Sequence, residues 1–181
     1  MPRIHPLLLT DTPTETLAAY EVHQSVYNAR ITNLKATLGH SLVAFQVYMG
    51  WYTLYTKIKE RTGERLACLF AYSISRASNC PLCTTFFRKM MIDNGEKPDE
   101  LVLTPQEQLL MDFGSAIAQN QGNISNALFA RVNQLYSTSE LVELIAFAGQ
   151  MIATNVFSNV IDTDIDEYLF AYLPFKNNAD L

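Results

Sequence analysis

The sequence has 181 residues, close to one domain on the scale of about 100 to 200 residues per domain. Its 49% apolar share is enough to fill a core, which excludes disorder as the main state, while 17% charged residues is below the usual share. Thirteen basic against eighteen acidic side chains leave a formal net charge of -5, so a phosphate backbone is a poor partner and no nucleic acid is expected.

No run approaches about 18 consecutive apolar residues, and the apolar stretch after Leu141 is broken by Gln150, Thr154 and Asn155, so no membrane span is expected. Leu7 to Leu9 give way at once to the polar run from Thr10 to Thr16, too short for a secretory core, and the chain reads as cytoplasmic. Three cysteines are too few, and odd in number, for a secreted disulfide scaffold.

In chain order the elements are all helices. Thr12-Pro13 opens the first by cap and first-turn logic, with Leu17, Tyr20, Val26 and Tyr27 as apolar positions and an end near residues 28–30. A short helix over Asn33 to Leu38 stops at Gly39. Ser41 to about Arg61 reads as one long aromatic helix, with Phe45, Tyr48, Tyr52 and Tyr55 at helical spacing, and Thr62-Gly63 breaks it.

Glu64 to about Ala77 is apolar on most of its circumference, which predicts a central place in the fold. Asn79 to about Asn94 follows after a very short turn. Thr104-Pro105 starts the next helix, whose stripe Leu109, Leu110, Phe113 and Ile117 runs toward Gly122. A shorter helix spans Ser125 to Tyr136. Ser137-x-x-Glu140 is a capping box before the segment Ser139 to Asn159, whose Leu141, Leu144, Ile145, Ala148, Ile152, Val156 and Val160 are assigned to one buried face. The expectation is an all-α fold of seven or eight helices in a single domain over residues 1–181.

One constellation carries a specific chemistry: Cys80-Pro81-Leu82-Cys83. Two thiols three positions apart at a helix start are near enough to bond and reopen at low strain. Asn79 or Cys80 is the cap and Pro81 lies in the first turn, so at least one sulfur sits where unpaired N–H groups favour an anion. By this reasoning Cys80, nearer the helix start, is the better activated thiol. Arg76, Arg88 and Lys89 are the nearby sources of positive potential.

A zinc half-site is the first alternative, but no second pair exists and His5, His23 and His40 lack ligand spacing, so neither metal nor cofactor is expected. Two inert buried thiols are the second alternative.

The segment GERLACLFAYSISRASNCPLCTTFFRKMMIDNG, from Gly63 to Gly95, resembles the core of the carboxymuconolactone decarboxylase family in its alkylhydroperoxidase D-like, peroxidase-related branch. GHSLVAFQVYMGWYTLY before it and SELVELIAFAGQMIATNVFSNVIDTDIDEYL after it are similar to that branch's flanking helices, so the resemblance spans roughly residues 40–170.

The resemblance implies a compact multi-helix alkylhydroperoxidase D-like fold that assembles as a homotrimer or homohexamer. It also implies that Cys83 attacks the peroxide and forms a sulfenic acid, which Cys80 resolves as a disulfide; that order is sound on the oxidation ladder. The substrate would be an organic hydroperoxide or small disulfide, and a dithiol would re-reduce the pair.

Two groups of the family pattern are replaced. Phe87 stands four positions after Cys83, where the family has its relay histidine, and Cys68 stands twelve positions before Cys80, where it has a glutamate. Glu64 and Tyr72 lie one turn either side of Cys68 on the same face, and Glu64 is the candidate to take the lost glutamate's part. The plainer reading of Glu64 is a solvated first-turn acid. Cys68 is either a third redox thiol or a small buried hydrophobe, and His40 either a proton source from elsewhere in the fold or a locally bonded histidine. Tyr48, Trp51, Tyr52, Tyr55, Phe86 and Phe87 either line an apolar pocket beside the thiols or are core.

These residues point to a thiol-dependent peroxidase or disulfide oxidoreductase in antioxidant defence. It would be slow, because general acid–base steps contribute about 10² to 10⁴-fold. A non-catalytic sensing or structural disulfide is the alternative from another class, and lactone decarboxylation, which needs no sulfur pair, ranks last.

Overall fold

The computed structural model describes residues 1–174; residues 175–181 of the expected domain lie outside the described residues. Among the described residues the chain is all helical, with α1 Thr14–Tyr27, α2 Asn33–Leu38, α3 Leu42–Met49, α4 Trp51–Thr62, α5 Glu64–Ala77, α6 Pro81–Asp93, α7 Pro105–Gln119, α8 Asn126–Asn133 and α9 Thr138–Ile161. Short 3₁₀ helices cover Leu9–Asp11 and Glu167–Tyr172.

Every side chain of α5 from Leu66 to Ser75 is buried, as a sequence without a polar face requires. The helix is enclosed by α4, α6, α7 and α9. The approach of α7 is close enough that a Cβ at Gly114 would stand 2.6 Å from the Ser73 Oγ and 2.9 Å from the Phe70 ring. The absence of a side chain there therefore sets the spacing of the two helices.

The aromatic segment expected as one helix from Ser41 to Arg61 is two helices, meeting at Gly50. The Val47 carbonyl at the joint accepts from the Gly50 N–H at 3.3 Å and from the Gln150 side-chain amide at 3.3 Å. A side chain from α9 thus enters the hydrogen-bond ladder, one of the known causes of a helix break. The turn lets Phe45 and Met49 pack with Tyr20 and Leu38, while Trp51, Tyr55 and Ile58 join the main core.

The capping box of Ser137 and Glu140 starts α9, but its buried face differs from the expected stripe. Leu141, Leu144 and Ala148 point inward, whereas Ile145, Val156 and Val160 are 42%, 52% and 58% exposed. In the second half of α9 the inward residues Thr154, Asn155 and Ser158 stand between Met151 and Ile161, so the buried face is partly polar there. By length and composition α9 is apolar enough to cross a membrane, yet its inner side is part of the core and is packed on α4, α5 and α7.

Gly114→Ala is expected to cost about 1–3 kcal/mol by overpacking against Phe70 and Ser73. Gly149→Ala, an exposed helical position with open space around it, should be neutral or stabilising by up to about 1 kcal/mol. Urea unfolding of the two variants checks both signs.

Candidate active site

The chain leaves α5 through Asn79 in the left-handed conformation, φ 49°, and α6 begins two residues later. Cys80 is the cap of α6: its sulfur accepts from the Cys83 N–H at 3.3 Å, and Pro81 fills the first helical position, where no N–H is needed. Both thiols are buried and reduced.

The two thiols are electrostatically unlike. A hydrogen bond from the Cys83 thiol, together with backbone N–H groups and the Ser158 hydroxyl, holds Cys80 below the usual thiol range despite its burial. The same bond, added to burial, pushes Cys83 well up. Of the two, Cys80 is thus the thiol favoured to ionise and Cys83 the one favoured to keep its proton. Ser158 comes from the polar inner side of α9, which accounts for that helix's change of character.

Cys83, and not Cys80, lines a narrow chamber of about 70 Å³. Leu82, Phe86 and Phe87 of α6, Met49, Trp51 and Tyr52 at the bend between α3 and α4, and Met151 of α9 form its apolar walls. The remaining wall brings polar groups: Lys35 from α2, with Asp166 and Tyr168 from the segment after α9. That segment is docked onto the start of α2, where the Asn33 N–H donates to Asp166 Oδ1 at 2.9 Å and the Asn33 side chain to the Asp164 carbonyl at 3.1 Å.

Lys35 is 7% exposed, and its Nζ donates to the Arg30 carbonyl at 2.7 Å and to the Tyr52 hydroxyl at 2.8 Å. Burial brings its ammonium down to about 8, against a smaller upward pull from Asp166. Burial likewise raises the Tyr52 phenol and the Asp166 carboxyl. Behind Tyr52 the buried His23 ring stands edge-on at 4.8 Å, and burial, then Lys35, keep it neutral down to about 4.

The residues proposed from sequence are divided by the fold. Cys80, Cys83 and Phe87 meet at the chamber. Glu64 is exposed at the start of α5 and lines a separate cavity with Arg65, Cys68, Met91, Asn94 and Glu96. Cys68 is 2% exposed, donates its S–H to the Phe87 carbonyl at 3.8 Å, and is pushed by burial up to about 12. The two replaced positions of the family pattern are therefore neighbours in space.

Tyr72 is buried in the core beneath the Arg76 guanidinium, and His40 is exposed with its Nε2 on the His5 carbonyl at 3.0 Å. Of the aromatic set, Trp51, Tyr52, Phe86 and Phe87 line the chamber, while Tyr48 packs on Phe157. Lys35, Asp166, Ser158 and His23 carried no spacing signal in the sequence; a lysine inside the six-residue α2 was the one visible oddity. Among the described residues no three His, Cys, Asp or Glu side chains are grouped as a metal ion would need.

No protein-family model and no curated protein matches the sequence. Among solved structures, a cysteine-to-alanine variant of the debrominase Bmp8 in complex with 2,3,4-tribromopyrrole is similar at a TM-score of 0.77 and 16% identity, over 93% of this chain and 94% of that one. The apo debrominase gives 0.67 at 16% identity, over 93% and 95%. An uncharacterised peroxidase-related protein from Silicibacter sp. TM1040 gives 0.65 at 13% identity, over 87% and 88%. The fold is thus the alkylhydroperoxidase D-like fold.

A lysine whose folded pKa is depressed destabilises the fold below that pKa, and the penalty fades as pH rises toward the unfolded value of about 10.4. The stability of the wild type relative to Lys35→Met should therefore rise by about 2 kcal/mol between pH 7 and pH 10. Urea midpoints of both proteins measure it, and a difference independent of pH would show that Lys35 is not driven toward neutrality.

Proposed function

We propose that this protein is a thiol-dependent oxidoreductase that reduces organic hydroperoxides through Cys83 and Cys80, with a role in antioxidant defence. The observation that carries this reading is the placement of Cys83 on the chamber wall in the first turn of α6, with its N–H donating to the Cys80 sulfur at 3.3 Å. Access favours Cys83 as the attacking sulfur, and electrostatics favours Cys80 as the first thiolate. The two are reconciled when Cys80 takes the Cys83 proton as the substrate is attacked.

Cys83 sulfur then attacks the distal peroxide oxygen and the O–O bond breaks, giving a Cys83 sulfenic acid and releasing an alkoxide. The alkoxide takes a proton from the Tyr52 hydroxyl, which the Lys35 ammonium resupplies. Cys80 attacks the sulfenic sulfur, water leaves, and a disulfide closes across the first turn of α6. In sum, two thiols and one hydroperoxide become a disulfide, an alcohol and water, and an external dithiol restores the pair. This proton path stands in for the relay lost at Cys68 and Phe87. A homotrimer or homohexamer in the cytoplasm is part of the same proposal, and the exposed Val142, Ile145, Val156 and Val160 of α9 are the apolar surface that favours assembly.

A second reading is favoured by the chamber's polarisable lining of Met49, Met151 and Trp51 beside the protonated Tyr52 phenol. There Cys83 takes a halogen from a halogenated ring, the ring is protonated, and Cys80 releases halide by closing the disulfide. The neighbour named as a debrominase points the same way.

Turnover of cumene hydroperoxide with dihydrolipoamide, beside bromide release from 2,3,4-tribromopyrrole, separates the readings. Cys83→Ser should abolish turnover. Cys80→Ser should allow one equivalent, with a sulfenic acid trapped at Cys83, and Tyr52→Phe should lower kcat at least about tenfold with little change in thiol content. No turnover of either substrate, with a disulfide that forms and alters assembly, would assign the pair to sensing or structure instead.

A further inference from the structure

The chamber opens into a wider groove of about 510 Å³, and the two share Thr32, Lys35, Trp51, Tyr52, Phe86 and Tyr168. Among the described residues the groove is lined by four basic side chains, Arg30, Lys35, Lys59 and Lys89, and by no carboxylate. In a chain whose acids outnumber its bases, that is a concentration of one sign at one mouth.

How these cations are held matters as much as their number. Lys89 is paired with Asp93, but Arg30, Lys35 and Lys59 form no ion pair among the described residues. Each stands instead over a tyrosine ring: Arg30 over Tyr168 at 4.8 Å, Lys35 over Tyr52 at 5.0 Å and Lys59 over Tyr55 at 5.1 Å. A ring face fixes a cation in place through its quadrupole without neutralising it. Lys35 is buried and already donates to the Arg30 carbonyl and the Tyr52 hydroxyl, so Arg30 and Lys59 are the two positioned charges left to meet an anion, above walls that are aromatic and apolar.

The inner end has the opposite preference. Asp166 lines the chamber but not the groove, and its Oδ2 is buried without a hydrogen-bond partner. A second carboxylate would be repelled there and attracted at the mouth.

We propose that the groove binds the anionic end of the substrate, which is an organic carboxylate whose apolar, reactive end is directed into the chamber against Cys83. The inference rests on the thiol chemistry proposed above for the reactive end, and adds the substrate's charge and its direction of entry. Arg30 and Lys59 are the residues that select the carboxylate, acting as partly solvated ion-pair partners.

Trp51 is the sole tryptophan and lines both spaces, so its fluorescence reports binding without any turnover. Titration with 4-isopropylbenzoate and with the uncharged 4-isopropylbenzamide should show the carboxylate bound about tenfold more tightly at low salt, as two partly screened ion pairs allow. The preference should vanish in the Arg30→Gln, Lys59→Gln double variant with amide affinity unchanged, and persist in Lys57→Gln, which alters a charge of α4 outside the groove. Equal affinity for the two compounds, a preference that survives the double variant, or no binding would each overturn the proposal.

Turnover of cumene hydroperoxide against its 4-carboxy derivative separates this claim from the one it rests on. Turnover without carboxylate preference would leave the peroxidase reading standing and remove this one. Carboxylate-selective binding without turnover of either peroxide would support the groove and remove the peroxidase reading.

Discussion

Water has to be kept from every side of α5, and most of the architecture follows from that. Its Leu66, Leu69, Phe70, Tyr72 and Ile74 are each worth roughly 1.5–3 kcal/mol when buried, a sum comparable to the about 5–15 kcal/mol by which a whole domain is stable. Four helices are needed to enclose it, and one of them, α7, comes so close that it carries a glycine at the contact.

Enclosing α5 also decides where α6 begins. Because the connection is only the three residues 78–80, with Asn79 left-handed, the first turn of α6 starts close to the end of α5, and its Cys80 and Cys83 are buried. A buried helix start has to be given acceptors, and here a sulfur supplies one. The inner side of α9 changes from Phe147 and Met151 to Thr154, Asn155 and Ser158 where it meets this turn. The lowered pKa of the Cys80 thiol is thus a consequence of how a buried helix end is satisfied.

Much of this was legible in the sequence because it is local. The bounds of α2 and α5 follow Gly39 and Gly63, Thr104-Pro105 and the Ser137-x-x-Glu140 capping box mark the starts of α7 and α9, and the Cys-x-x-Cys spacing places two thiols in the first turn of α6. What was not legible depends on partners distant in the chain. Gly50 breaks the aromatic helix with the help of Gln150, and the polar wall joins Lys35 to Tyr52 and Asp166. The stripe of α9 was misassigned in its second half because periodicity cannot say which of two faces meets a polar neighbour. The replaced relay is intelligible in the same terms: Cys68 and Phe87 touch, so a lone glutamate or histidine at either position would be a buried polar group without its partner.

The docking of Asp166 and Tyr168 onto α2 has a consequence for the order in which the molecule is made. The cysteines are synthesised well before the segment that forms the last wall around them, so a nascent chain carries the dithiol uncovered until that segment arrives and clips to Asn33. During that interval nothing in the fold selects what reaches the sulfurs, and the surrounding redox poise alone determines whether they enter the finished protein reduced.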